Sequence, residues 1–251
     1  MLRIYKMILL SGILVNLMMT STSIAKRPLV TDDVDIIKSY HYLFEIDGGY
    51  FDLGHKETKQ EYNFILGKTF LENYEFSLML PYEGRIVSPD KAWNFGEMQI
   101  QLKWKWLEEE KTVPGLGVKL GIKLPTGQEN DTPSIGTGTT DVLIDIILQK
   151  SVSFLTFYGN IGYTLRSGNT IYDRIRAGLG TEHPLSESTS IFTELTGTTS
   201  TRPAMKDDTL ELYTGFGHIT RWGWSWDLGG VYGLTHTSPD WGVRLGTSSE
   251  F

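Results

Sequence analysis

The sequence predicts an all-β protein: an antiparallel transmembrane β-barrel of about 12 strands, preceded by a cleaved signal peptide. Three observations predict it. The chain begins with an apolar leader, polar and apolar residues then alternate with period two over most of its length, and it ends in phenylalanine. Alternation of this kind is typical of strands with one face in an apolar environment.

Composition excludes several other classes of protein. The 251 residues include no cysteine, so disulfides do not stabilise the fold. Seven Trp, 12 Tyr and 11 Phe supply enough apolar surface to fold, which argues against disorder. A formal net charge of −7 argues against a nucleic-acid partner, because such proteins normally carry a basic surface.

The leader has the parts of a secretory signal. Arg3 and Lys6 precede an apolar run at 7–19, and small residues follow up to Ala25, where we expect cleavage. At about 1.5 Å per residue this run is too short for a helix across a hydrocarbon core of about 30 Å. The expected organisation is a signal peptide at 1–25, an N-terminal periplasmic segment at 26–38 and the barrel at 39–251.

Period-two alternation marks the strands. Between 96 and 107, Ile100, Leu102 and Trp104 fall on one face, and Gln101 and Lys103 fall on the other. A helix would bring Lys103 and Trp106 to the same face. The same rule predicts strands near residues 40–52, 59–70, 74–86, 96–107, 115–125, 140–150, 153–166, 173–184, 188–197, 209–220, 222–234 and 240–251.

The connections alternate in length. Short turns follow the second, sixth, eighth and tenth strands, while longer polar loops fall at 87–95, 126–139 and 198–208. Bacterial outer-membrane barrels have an even strand number, with short turns on the periplasmic side and longer loops outside. The fourth connection, at 108–114, is longer than this rule predicts. We expect its acidic run, Glu108 to Glu110, to be a solvated turn.

A soluble β-sandwich or lipocalin-like barrel is the alternative fold, with its apolar face pointing inward. Two features favour the membrane barrel. The apolar face is rich in Trp and Tyr near strand ends, as in interfacial girdles, and the polar face carries many glycines, which suits a narrow lumen. The expected location is therefore the outer membrane of a Gram-negative cell.

Several motifs resemble one family, called Putative MetA-pathway of phenol degradation. They cover nearly the whole chain after the leader: RPLVTDD at 27–33, KWKWLEEE at 103–110, LPTG at 124–127, GTG at 136–138 with Asp141, NIGY at 160–163, and the ending at 239–251. The resemblance implies an outer-membrane transporter-like barrel associated with phenol degradation. Phe251, closing an alternating strand, also resembles the signal that the barrel assembly machinery reads.

If the aromatic face meets lipid, charges of both signs face the lumen. Lysines on two neighbouring strands would form one basic wall, which we expect to steer small anionic or aromatic solutes through a passive channel. The alternatives are an interior closed by ion pairs, and a structural or adhesive barrel without transport. The candidate solute path comprises Lys103, Lys105, Lys119, Lys123, Arg174, Arg176, Arg244, Glu211 and Asp227.

Catalysis is not expected, although an outer-membrane hydrolase is a further alternative. The five histidines, at 41, 55, 183, 218 and 236, are scattered, and none lies in a G-x-S-x-G or H-E-x-x-H context. Glu129 and Asp131 lack the dense acidic spacing of a calcium loop. We therefore expect no metal and no cofactor, and the expected partners are membrane lipid, the assembly machinery and a small solute.

Overall fold

The computed structural model describes residues 30–168, 172–201 and 208–251. The predicted signal peptide at 1–25 and the first residues of the predicted periplasmic segment lie outside these ranges. So do six residues of the predicted loop at 198–208. Within the described ranges, no helix is long and apolar enough to cross a membrane.

The described residues form thirteen strands, all joined to their neighbours in antiparallel fashion. They are β1 (Tyr42–Gly54), β2 (Glu57–Leu71), β3 (Tyr74–Val87), β4 (Asp90–Phe95), β5 (Gln99–Leu107), β6 (Gly115–Lys123), β7 (Asp141–Val152), β8 (Leu155–Arg166), β9 (Arg174–Pro184), β10 (Thr189–Ser200), β11 (Thr209–Ile219), β12 (Trp224–Gly233) and β13 (Trp241–Glu250).

Twelve of these strands close a barrel, which confirms the predicted fold class. Sequential neighbours pair from β5 to β13, β13 pairs with β1, and β3 pairs with both β2 and β5. At the closure, Tyr42 and Phe251 exchange backbone hydrogen bonds of 2.8 and 3.0 Å, and their rings stack at 6.0 Å. A closed barrel leaves no unpaired edge in the hydrocarbon region, where unsatisfied backbone groups are costly.

Strand β4 lies outside the barrel closure and corrects the prediction of a loop at 87–95. It forms a hairpin with the outer part of β3, and Phe95 and Trp93 contact the Tyr82 ring with centroid distances of 5.3 and 6.0 Å. Cross-strand aromatic pairs of this kind stabilise a short hairpin. Strand β10 is also longer than predicted, because it continues to Ser200.

The two faces of each strand meet opposite environments. On β5, Leu102 points outward and is 40% exposed, whereas its neighbour Lys103 points into the lumen and is 4% exposed. The same inversion holds on β7, where Ile146 is exposed and Asp145 is buried. Apolar side chains outside and charged side chains inside are the arrangement of a membrane barrel, so the soluble alternative is excluded.

The connections after β2, β7, β9 and β11 share one end of the barrel with the C-terminus, which we call the turn end; the other is the loop end, where the two-residue turn at 55–56 also lies. The long connection at 108–114 belongs to the turn end, where it is tied down. Glu109 accepts hydrogen bonds from Ser151 N at 2.6 Å and from Lys150 Nζ at 3.3 Å. The acidic run is therefore partly an anchor between neighbouring turns, although Glu108 remains exposed.

At the loop end, the predicted loop at 126–139 folds against the barrel rim. Glu97 accepts hydrogen bonds from the N–H groups of Thr137 and Gly138 at 2.8 and 2.9 Å, and Lys123 pairs with the same carboxylate. Gly138 has a φ of 65°, and an added Cβ at Gly136 would lie 2.8 Å from Gly127. The glycines of the GTG motif therefore let the loop fold closely upon itself.

Candidate functional site in the barrel lumen

Residues 30–38, which we call the lumen segment, run through the interior of the barrel to reach β1. Thr31, Val34 and Ile37 are at most 3% exposed. Their N–H groups donate to acceptors on three different strands: Thr31 N to Glu194 Oε2 at 2.7 Å, Val34 N to Gln149 Oε1 at 3.1 Å, and Ile37 N to Glu75 Oε2 at 3.0 Å.

Lumen side chains also bind the carbonyl groups of this segment. Asn160 Nδ2 donates to Asp32 O at 3.2 Å, and Thr69 Oγ1 donates to Ile37 O at 2.8 Å. Lys103 Nζ donates to Asp33 O at 3.2 Å and also to the carbonyl of Asp35. Side chains rather than a strand ladder thus satisfy the main chain of the segment. These contacts are separate from the hydrogen bonds that pair the barrel strands.

On the part of the barrel wall that contacts the lumen segment, a row of charged residues crosses four neighbouring strands. Glu75 on β3 lies opposite Lys103 on β5, Lys103 lies opposite Lys119 on β6, and Lys119 lies opposite Asp145 on β7. Side chains directly opposite each other on one face have Cβ atoms about 5 Å apart, so like charges there destabilise the sheet. Lys103 and Lys119 therefore require counter-charges.

The lumen segment supplies those counter-charges. Asp33 Oδ1 lies 3.0 Å from Lys103 Nζ, and Asp32 pairs with Lys119. The sequence predicts a basic wall of four lysines, and the structure places Lys103 and Lys119 side by side but neutralised by two carboxylates of the same chain. Because the barrel side chain of Lys103 is almost fully buried, its ion pair is shielded from solvent.

A glycine allows the next charged pair in the row to form. Gly162 on β8 lies between Asp145 on β7 and Arg176 on β9, and Arg176 Nη2 reaches across it to Asp145 Oδ1 at 2.9 Å. An added Cβ at Gly162 would overlap the Asp145 carboxylate. Asp145 is thereby held by Arg176, although it also lies beside Lys119.

Replacing Gly162 with alanine should therefore separate Asp145 from Arg176. We expect a loss of about 1–3 kcal/mol in the free energy of unfolding, the usual cost of overpacking. Urea unfolding of the refolded barrel measures it. Gly159→Ala on the same strand is the matched control, since its nearest neighbours lie at 3.8 and 3.9 Å. Equal stability of the two variants would contradict this account of Gly162.

The other six predicted path residues form two groups of three, and the first group lies on β5, β6 and β9. Lys105 Nζ pairs with Glu108 at 2.7 Å at the turn end, and Lys123 Nζ pairs with Asp141 at 2.8 Å near the loop end. Arg174 lies two residues before Arg176 on the same face of β9.

The second group lies on the wall formed by β1, β2 and β11 to β13. Arg244 Nη2 pairs with Asp47 at 3.0 Å and with Glu61 at 3.4 Å. Asp227 on β12 is buried, and Glu211 accepts a hydrogen bond from Tyr213. The predicted residues therefore do not form one continuous surface.

A cavity of about 190 Å³ lies beside residues 30–32 of the lumen segment and is lined by residues of β6 to β11. Lys119, Arg176 and Asn160 line one side, and Glu211 and Tyr213 line the other. An engineered apolar cavity of roughly 150 Å³ in another protein holds benzene, so this space suits a molecule with one ring. Its lining provides both donors and acceptors of hydrogen bonds.

Sequence reasoning missed the acids of the lumen segment as site residues. Asp32, Asp33 and Asp35 stand in a short acidic run, of which the motif at 27–33 includes the first two. The available signal was complementarity: the acidic run follows an exported leader, and two lysines face each other on predicted neighbouring strands.

The barrel is similar in fold to solved outer-membrane proteins. It matches the COG4313 outer membrane channel from Pseudomonas putida F1 with a TM-score of 0.73 at 14% identity, over 89% of this chain and 100% of that chain. It matches the KdgM porin in complex with disordered oligogalacturonate with a TM-score of 0.55 at 8% identity, over 82% and 98%. It matches the NanC porin with a TM-score of 0.55 at 11% identity, over 82% of this chain and 98% of that chain.

These likenesses establish the fold of an outer-membrane β-barrel, and with it the predicted location. No curated protein matches the sequence of this chain. The sequence model of one family does match, over residues 44–251, which is most of the chain and all of the barrel strands after the start of β1. As the motifs predict, the chain belongs to the family described as Putative MetA-pathway of phenol degradation.

Proposed function

We propose that this protein is an outer-membrane channel for passive uptake of small aromatic or anionic solutes. The observation that carries the proposal is the cavity beside the lumen segment, because it combines the volume of a single ring with cationic and polar groups. The family description, with its reference to phenol degradation, agrees with such a solute class.

The solute path in this proposal follows the charged face of the lumen. Side-chain contacts rather than strand pairing hold the lumen segment, so its movement would widen a passage and leave the barrel wall in place. Phe251 is proposed to guide assembly of the barrel. The residues assigned to the path are Lys103, Lys105, Lys119, Lys123, Arg174, Arg176, Arg244, Glu211 and Asp227.

Conductance of the refolded protein in a planar bilayer tests the proposal. We expect discrete openings that are reduced by phenols and by aromatic carboxylates such as benzoate, because these solutes compete with ions for the lumen. Cyclohexanol is the control for nonspecific effects on the bilayer. Openings that no aromatic solute alters would contradict the proposed solute class.

One observation favours a second candidate, a closed barrel with a structural or adhesive role. The lumen segment contacts side chains from opposite sides of the barrel and so obstructs the lumen. A folded protein that stays silent in the bilayer at all voltages, and that does not carry solutes into liposomes, would favour this candidate over the channel.

A further inference from the structure

Two lysines of the lumen are arranged as a binding site that the chain itself occupies. We propose that Lys103 and Lys119 bind solutes with two carboxylates, and that Asp32 and Asp33 fill this site as an internal ligand. The inference rests on the proposed channel function, for which it names a solute class and the contact that solute must break.

The register of the sheet creates the site. Lys103 and Lys119 lie directly opposite each other on β5 and β6, so their ammonium groups face the same small region of the lumen. Neighbouring cations in a shielded lumen repel each other unless anions lie between them. A pair of carboxylates is therefore the preferred occupant of this position.

The acids of the barrel wall on either side are each bound by a further group: Asp145 by Arg176 of the wall, and Glu75 by the main chain of the lumen segment. Asp145 is held by Arg176 at 2.9 Å, and Glu75 accepts the Ile37 N–H at 3.0 Å. The closest carboxylate partners of the two lysines are instead Asp33, at 3.0 Å from Lys103, and Asp32 against Lys119. When the lumen segment moves away, both lysines lose Asp32 and Asp33 together, and each keeps a single acidic neighbour on the wall, Glu75 or Asp145.

The internal ligand defines the chemistry of the external one. Two carboxylates on consecutive residues engage the two lysines, and Asn160 Nδ2 adds a donor to the carbonyl of Asp32 at 3.2 Å. A compact dicarboxylate, on one ring or a short chain, offers the same two charges without the main chain. Such a solute competes with the segment, so the segment lowers its apparent affinity.

Isothermal titration calorimetry of the refolded full chain in detergent tests the inference. The probes are isophthalate and succinate, and the neutral isophthalamide is the control. We expect Asp32→Asn with Asp33→Asn to bind both acids about tenfold more tightly, because the competitor is removed while both lysines remain. Lys103→Gln with Lys119→Gln should abolish binding.

A matched control separates this site from lumen charge in general. Lys59 is also a lumen lysine, and it pairs with two acids of the barrel wall, Glu61 at 2.8 Å and Glu83 at 3.5 Å. Lys59→Gln should leave the affinity unchanged. Electrophoretic mobility before and after heating verifies that each variant is a folded barrel.

Two results would overturn the inference: unchanged affinity in the double asparagine variant, or full binding in the double glutamine variant. Should the glutamine variant not fold, the asparagine variant alone decides, because it retains both lysines. Bilayer recordings distinguish a failure of the dicarboxylate site from a failure of the proposed channel function. Binding with the expected order but no conductance contradicts the channel, whereas conductance without this order contradicts only the dicarboxylate site.

Discussion

A disulfide between residues 31 and 180 should hold the lumen segment in place and suppress conductance. In the variant Thr31→Cys with Gly180→Cys, we expect oxidised protein to show a several-fold lower open-channel current than reduced protein. The segment then crosses the lumen permanently, because a covalent bond holds it to the barrel wall. Addition of a reductant should restore the current of the parent chain.

The geometry of this pair suits a disulfide. A Cβ added at Gly180 would lie 3.7 Å from Thr31 Cβ, and disulfides have Cβ atoms about 3.5–4.5 Å apart. The bond would join the segment to β9, on the wall that also carries Glu194 as the acceptor of the Thr31 N–H. Since the chain has no cysteine, no competing disulfide can form.

The two single-cysteine variants are the controls, because each carries the same side-chain change without the bond. In neither variant should oxidant or reductant change the open-channel current more than it does in the parent chain. If the double variant forms the disulfide quantitatively and conducts as well as its reduced form, then the segment does not move during conduction. That outcome would leave ions a path around the segment and contradict the proposed widening of the lumen.

The barrel was predictable because each strand crosses the membrane. In a strand with lipid outside and a charged lumen inside, apolar and polar residues must alternate along the whole length. The sequence alone therefore predicts that Leu102 faces lipid and Lys103 faces the lumen. The hairpin of β4 escaped prediction because six residues carry too little alternation. Its stability depends on Tyr82 of β3, which the local sequence of β4 does not contain.

Only half of the candidate site was predictable, because the lumen segment and its partners are far apart in the sequence. Alternation places Lys103 and Lys119 on one face, but it does not identify their partners. The lumen segment has no regular period, and its main chain is bound by side chains far away in sequence: Thr31 and Glu194 are 163 residues apart. Such contacts follow from closure of the barrel around the segment.

Reversing the charge of two lumen lysines should produce the largest change in ion selectivity. In the variant Lys119→Glu with Lys123→Glu, we expect the reversal potential in a salt gradient to shift strongly toward cations. Glutamate at 119 would face Asp32 and Asp145, and glutamate at 123 would face an acid-rich part of the loop end. Anions would then meet repulsion at two levels of the lumen.

The same variant should also release the lumen segment. The contact between Lys119 and Asp32 is a hydrogen bond between charged groups, which contributes about 1.5–3 kcal/mol. Its loss alone would shift the equilibrium between bound and displaced segment by roughly ten- to a hundredfold. We therefore expect a higher open probability together with the change in selectivity.

A charge-matched control is available outside the lumen. Lys56 and Lys111 are exposed residues in connections, so replacing both with glutamate changes the net charge equally without altering the proposed path. This control should keep the selectivity and open probability of the parent chain. If both double variants shift the reversal potential alike, surface charge rather than the lumen determines selectivity. If neither shifts it, Lys119 and Lys123 do not steer ions, and the solute path must avoid the β6 wall.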